Sequence, residues 1–218
     1  MFNPFFDQAM KAARFILIPL VVLASSLTQA TADWDEESAL ATLAVTAHAR
    51  AEACQALAVI GGPKSVPTLA GLMDDRQLAA YARTALEVID DPSAAKALRD
   101  ALPKLEGQLL IGVVTSLGAR RDREAVSALT ELVNDSKRGA SEAALVALAR
   151  IGGRAPITTV IMAMAGESEE LHIPAAHAAL LAADSLSKRG NNNAANQVLA
   201  QIRKANLPEH IKQAAANQ

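Results

Sequence analysis

The chain has 218 residues, 51% hydrophobic and 20% charged, an ordinary globular composition long enough to bury a sizeable core. Aromatics make up only 3%, so that core must come from close helix–helix packing of Ala, Leu, Val and Ile. The net charge of −2 excludes a general attraction to nucleic acid or anionic lipid, and a single cysteine, Cys54, excludes a disulfide framework within one chain.

In chain order, Lys11 and Arg14 precede the apolar run "FILIPLVVLA" (15–24), followed by "SSLTQ", then Ala30-Thr31-Ala32 and the acidic "DWDEE". A positive start, an apolar stretch of about 10–13 residues and a small-x-small site describe a secretory signal, shorter than the roughly 20 residues of a membrane span. Cleavage is expected after Ala32, with Met10 an alternative start; the competing reading is an uncleaved anchor. Removal of 1–32 takes away Asp7, Lys11 and Arg14 and leaves a net charge of −3. The mature protein is therefore expected to be exported, periplasmic or secreted, without stable membrane insertion. Residues 33–50 read as an N-terminal capping region, with a helix over 35–46 and Asp35 as its cap.

From residue 51 the chain repeats itself. "ALAVIGG" (56–62), "ALEVIDD" (85–91) and "ALARIGG" (147–153) are near copies, and "SLGARRD" (116–122) falls at the missing position. Their leucines, Leu57, Leu86, Leu117 and Leu148, are 29, 31 and 31 residues apart. Four residues upstream stand Ala53, Ala82, Val113 and Ala144. Nine downstream stand Val66, Ala95, Val126 and Ile157; twelve downstream, Leu69, Leu98, Leu129 and Val160; fifteen downstream, Leu72, Ala101, Leu132 and Ala163. A looser fifth copy carries Ala176 and Leu180. A period of this length signals stacked units, none of which covers its own apolar stripe.

Each unit reads as two helices. Offsets −4, 0 and +3 lie on one face of the first, and offsets +9, +12 and +15 or +16 on one face of the second. Gly, Asp and Pro in "GGP", "DDP", "RRD" and "GGR" punctuate the pair. Second helices are predicted over 64–73, 92–105, 123–133 and 155–165. The small column Ala56, Ala85, Ser116, Ala147 and Ala179 lets first helices approach closely. No stretch alternates with period two, so no sheet is expected. The solenoid spans 51–207, and 208–218 supplies a closing helix, "PEHIKQAAA".

This unit, with its Leu-x-x-Ile-Gly and capped turn, resembles HEAT-like repeats of the phycobilisome-lyase type. The stretch 51–129, from "AEACQALAVIGGPKSVPTLAGLMDD" to "GARRDREAVSAL", is similar to exported HEAT-repeat proteins of environmental bacteria such as planctomycetes. The resemblance covers most of 47–165 and fades after Gly166. It implies an all-α, armadillo-like fold: a right-handed α-solenoid of about five HEAT-like two-helix repeats. It carries over no catalytic residue.

Chemistry is sparse. His172 and His177 are five apart, about 140° around a helix, the wrong spacing for two ligands on one helix, and Pro174 is expected to place His172 before the helix. Iron-binding HEAT-like hydroxylases use His-Glu dipeptides, and this chain has none. His48 and His210 are isolated. Cys54 shares its column with Arg83, Val114, Leu145 and His177, which reads as a partly covered helix flank. The default there is a packed small side chain; a lyase-like or cofactor-handling module using Cys54 or the histidines is the alternative. Adjacent carboxylates such as Asp74/Asp75 and Asp90/Asp91 fall at turns, where capping explains them.

Charge placement says more. The turn inside each unit becomes basic along the array: Arg120, Arg121 and Arg123, then Arg150 and Arg154, then Lys188 and Arg189. The turn between units tends acidic, with Asp74, Asp75, Glu106, Asp135, Glu167, Glu169 and Glu170. Offsetting of helix dipoles accounts for such a pattern on its own, and the functional alternative is an edge that receives an acidic partner. Tyr81 falls outside the apolar stripe, and Trp34 lies just beyond the expected cut; either ring could anchor a partner or pack structurally. The expectation is an exported, non-catalytic scaffold without cofactor or metal. It would bind a protein partner through its helical surface, with Arg120, Arg121, Arg123, Arg150, Arg154 and Tyr81 as candidate contacts. Nucleic-acid capture, as in some HEAT-like glycosylases, conflicts with export and a charge of −3.

Overall fold

The computed structural model describes residues 35–43 and 47–218, so the expected signal segment and Trp34 lie outside the described residues. Among the described residues the protein is all-helical, with twelve α-helices and no strand. They are α1 (Glu36–Thr42), α2 (Ala47–Ile60), α3 (Val66–Ala70), α4 (Ala79–Val88), α5 (Pro92–Ala101), α6 (Gly107–Arg120), α7 (Val126–Asn134), α8 (Ser141–Ile151), α9 (Arg154–Ala163), α10 (Glu169–Lys188), α11 (Asn192–Lys204) and α12 (Glu209–Ala216). Single 3-10 turns at Pro63–Ser65, Leu102–Lys104, Arg123–Ala125 and Ser136–Arg138 tighten the joints.

The ends of these helices follow from their capping residues. Asp35 accepts a hydrogen bond from the Ser38 amide at 2.7 Å, and Asp91 accepts from the Ser93 amide at 2.8 Å, with Pro92 opening α5. Asp122 accepts from the Glu124 amide at 3.0 Å. At the other end, α10 closes on Gly190: its amide donates to Ser187 O and the Asn191 amide to Leu186 O. Gly190 has φ +78°, the left-handed conformation this closure needs. Helix α6 closes the same way, through Arg121 N to Gly118 O and Asp122 N to Leu117 O, but with an arginine at φ +54°.

Burial drives the stacking. Leu57, Leu86, Leu117 and Leu148 are each fully buried, worth about 1.5–3 kcal/mol apiece against exposure. The column four residues upstream, Ala53, Ala82, Val113, Ala144 and Ala176, is buried throughout. In the fifth copy Leu180 is only half-buried. Helices α2, α4, α6, α8 and α10 each pack on the next, while α3, α5, α7 and α9 lie against α4, α6, α8 and α10 in turn. The tightest seam joins α6 to α8. A Cβ on Gly118 would stand 2.7 Å from the Ala147 Cα, closer than real side chains come.

In the second helices the expected +12, +15 and +16 columns are buried except Ala163, and one column differs: at +9 Val66 is buried but Ala95, Val126 and Ile157 are only half-buried. The column buried in all four copies is +8: Ser65, Ala94, Ala125 and Pro156. With +12 (Leu69, Leu98, Leu129, Val160) and +16 (Met73, Leu102, Val133, Met164), it forms an i, i+4, i+8 ridge that faces the first helices. The expected N-terminal helix over 35–46 is shorter, ending at Thr42, and the closing helix begins at Glu209 with Pro208 at its cap.

Both ends are tied down by side chains. Glu36 accepts from the Gly62 amide at 3.0 Å, the Ser65 amide at 3.1 Å and the Ser65 hydroxyl at 2.6 Å, joining α1 to the turn before α3. Those three donors hold its carboxyl below the usual glutamate range, the Ser65 hydroxyl contributing most. At the far end Arg203 donates to the Ala215 carbonyl at 2.7 Å, closing α12 onto α11.

Candidate functional site

The basic turns sort into two kinds. Arg120 sits at offset +3, the position that Ile60, Ile89 and Ile151 hold in the other copies, and is half-buried. Its guanidinium turns back to the end of α4, donating to Leu86 O (2.9 Å), Glu87 O (2.8 Å), Ile89 O (2.8 Å) and Asp91 O (3.4 Å). The Leu86, Glu87 and Ile89 carbonyls lie at the end of α4, where a helix leaves carbonyls without intrahelical partners, and Asp91 caps the start of α5. Arg120 is thus a C-cap for the preceding unit, and its charge is committed inside the molecule.

Arg121, Arg123, Arg150 and Arg154 are exposed. Of these, Arg121 and Arg150 meet Lys188 and Arg189 along one open cleft of about 600 Å³, completed by Gly118, Ala119, Leu181, Asp184 and Ser185. The cleft lies across the C-terminal ends of α6, α8 and α10. Arg189 leans over the end of α8, its Nη1 3.8 Å from where a Cβ on Gly152 would stand. Lys188 is paired with Asp184 at 2.7 Å. Arg121, Arg150 and Arg189 make no ion pair or side-chain hydrogen bond with any described residue. Arg123 and Arg154 open the following second helices and do not line the cleft.

Other cations are committed too. Arg99 pairs with Asp122 and, at 2.8 Å, with Glu124, drawing both acids away from the cleft and toward α5. Arg138 donates to Leu102 O and Leu105 O, and Arg83 to the buried Ser116 hydroxyl at 2.8 Å, which in turn donates to Glu87 at 2.7 Å. On the opposite edge exposed Asp74, Glu106, Glu167, Glu169 and Glu170 stand with exposed Arg76, Lys104 and Lys137. Asp75 is half-buried and faces Arg50 at 3.8 Å.

Cys54 is fully buried, not a partly covered flank; in its column Val114 and Leu145 are buried too, while Arg83 is half-buried and His177 exposed. Burial pushes its thiol pKa up, partly opposed by Arg50, which disfavours the reactive thiolate. The histidines stay apart in role. His48 is exposed beside Glu52, His177 and His210 are exposed, and His172 Nε2 lies 2.8 Å from the Gly166 carbonyl. His172 is inside α10, not before it: the helix begins at Glu169 and runs through Pro174. Pro174 cannot donate to the Glu170 carbonyl and its ring crowds it, but both costs fall on the exposed first turn, and the helix continues. Among the described residues no group of three or more His, Cys, Asp and Glu gathers as a metal site. None of the described helices is long and apolar enough to cross a membrane.

Tyr81, on α4, is 39% exposed, as its position outside the stripe implied, but lies away from the cleft. Sequence reasoning missed Leu181, Asp184 and Ser185 as cleft residues, because α10 is 20 residues long and carries the fifth copy out of register. The Asp184–Lys188 spacing of four was the readable signal. No family model matches the chain, and neither does any curated protein.

Proposed function

We propose that the chain is a right-handed α-solenoid of about five HEAT-like two-helix repeats, serving as an exported, non-catalytic scaffold that binds a protein partner. The neighbour-to-neighbour packing of α2, α4, α6, α8 and α10, with the −4 column buried in each and the leucine column buried in the first four, supports the repeat architecture. Export rests on the charge, apolar run and Ala30-Thr31-Ala32 site of 1–32. The observation that carries the binding role is the cleft at the ends of α6, α8 and α10, where three arginines face solvent without a partner among the described residues.

A cofactor-handling role through Cys54 would need a thiolate that ligand can reach, and burial opposes both requirements. The test of the scaffold reading is affinity purification of the tagged chain from the native envelope, with mass spectrometry of co-eluting proteins. A reproducible stoichiometric partner is the expected result. A chain that elutes alone after mild cross-linking, or with a bound chromophore visible by absorbance, would overturn the reading.

A further inference from the structure

We infer that the cleft between the ends of α6, α8 and α10 is a docking site for an acidic peptide segment of a protein partner; this deepens the scaffold reading and rests on it. Helix dipoles alone do not account for the charge placed there. Each of the three helix ends presents about half a negative charge, roughly −1.5 together. Lys188 is already answered by Asp184, and Asp122 and Glu124 are turned toward Arg99. Arg121, Arg150 and Arg189 remain, so an excess of roughly +1.5 is left in one concavity. In a chain of overall net charge −2 this excess is local, not a property of the surface at large.

The chemistry of the lining selects the occupant. Three of the four cations are arginines, whose planar forks pair with carboxylates through two parallel hydrogen bonds. Leu181 and Ala119 give the cleft an apolar floor that suits the methylenes of glutamate and the backbone of an extended peptide. The apolar character continues along the first-helix ends. Offset +2, which is Arg150 in α8, is Ala119 in α6, Val88 in α4 and Val59 in α2, the two valines 54% and 85% exposed. A segment lying along this edge would meet cations at one end and exposed valines at the other. Its matching sequence is a run of acidic residues adjoining apolar ones. A nucleic acid would need a basic track several phosphates long, and the track ends at Val88.

The test uses the purified full chain and a fluorescein-labelled hexaglutamate peptide, read by anisotropy. Binding is expected at low salt and should weaken as salt rises from about 0.02 to about 0.15 M. The pair Arg150→Glu with Arg189→Glu should lower affinity about tenfold or more, and Arg150→Gln with Arg189→Gln by a smaller factor. The control pair Arg123→Glu with Arg154→Glu, exposed cations outside the cleft, should lower it less than about threefold. Circular dichroism melts confirm that each variant is folded, the glutamine pair standing in if the glutamate pair is not. Three results would overturn the inference: no binding of hexaglutamate, equal losses in both pairs, or displacement by inorganic phosphate or an oligonucleotide at lower concentration than by unlabelled hexaglutamate. A partner that co-purifies equally with the Arg150/Arg189 variant would also overturn it while leaving the scaffold reading intact.

Discussion

Two neighbouring junctions use the same residue type for opposite ends. Between α4 and α6, Arg120 reaches back to four carbonyls and vanishes as a surface charge. One residue later, where α6 meets α8 and α10, Arg121 faces solvent beside Arg150 and Arg189. The first junction closes an unfinished helix end; the second leaves three cations to a concave surface. Counting arginines in a turn therefore measures neither stability nor binding. What matters is the angle at which each leaves the helix: Arg120 continues the buried stripe, whereas Arg121 has left it for a left-handed turn.

The contrast can be broken most forcefully through the core that both junctions share. Leu117→Ala, at a fully buried position, should cost about 2–5 kcal/mol in denaturant unfolding. A loss below about 1 kcal/mol would mean that the repeat columns do not hold the two junctions together. Next comes the difference between the adjacent arginines. Arg120→Ala removes charge-assisted hydrogen bonds to part-buried carbonyls and should cost about 1.5–3 kcal/mol. Arg121→Ala should stay within about 0.5 kcal/mol. Equal costs would erase the distinction.

A finer test is Arg121→Gly. Relief of left-handed strain, about 1–2 kcal/mol, outweighs the added flexibility of glycine, about 0.5–1 kcal/mol. The variant should therefore melt slightly higher while binding hexaglutamate less well. A lower melting temperature would show that the arginine side chain supports the fold. The smallest effect lies at the other end of the chain, where neither junction is involved. Glu36 has its carboxyl held below the ordinary range in the folded state, so its contribution is complete above the unfolded value and is lost as pH falls through the folded one. Protection of the Gly62 and Ser65 amides, taken relative to the intrinsic exchange rate at each pH, should fall in that acid window, and Glu36→Gln should remove this pH dependence.

The repeat was legible because leucine and alanine columns recur at helical offsets and burial obeys them. One second-helix column, +9, was misread by one position in three of the four copies, for a physical reason. The buried +8 column holds Ser65, Ala94, Ala125 and Pro156, which look less apolar than the half-buried Val126 and Ile157 beside them. Close approach between helices selects small side chains, so hydrophobicity pointed to the wrong neighbour. The commitment of Arg120 was readable in principle, since it occupies the column of Ile60, Ile89 and Ile151. The gathering of Arg121, Arg150 and Arg189 was not, because it depends on how three helix ends converge, and α10 departs from the repeat length. Nor was the fate of Asp122, whose pairing with Arg99 joins residues on different units.

The missing methyl at Gly118 acts as a ruler. It lets α6 settle against Ala147, and the separation of those two backbones fixes the pitch at which Arg121 and Arg150 are displayed. A residue with no side chain to offer would thereby set which spacing of carboxylates the surface can read. Widening the seam by one carbon would retune that pitch without altering a single charge.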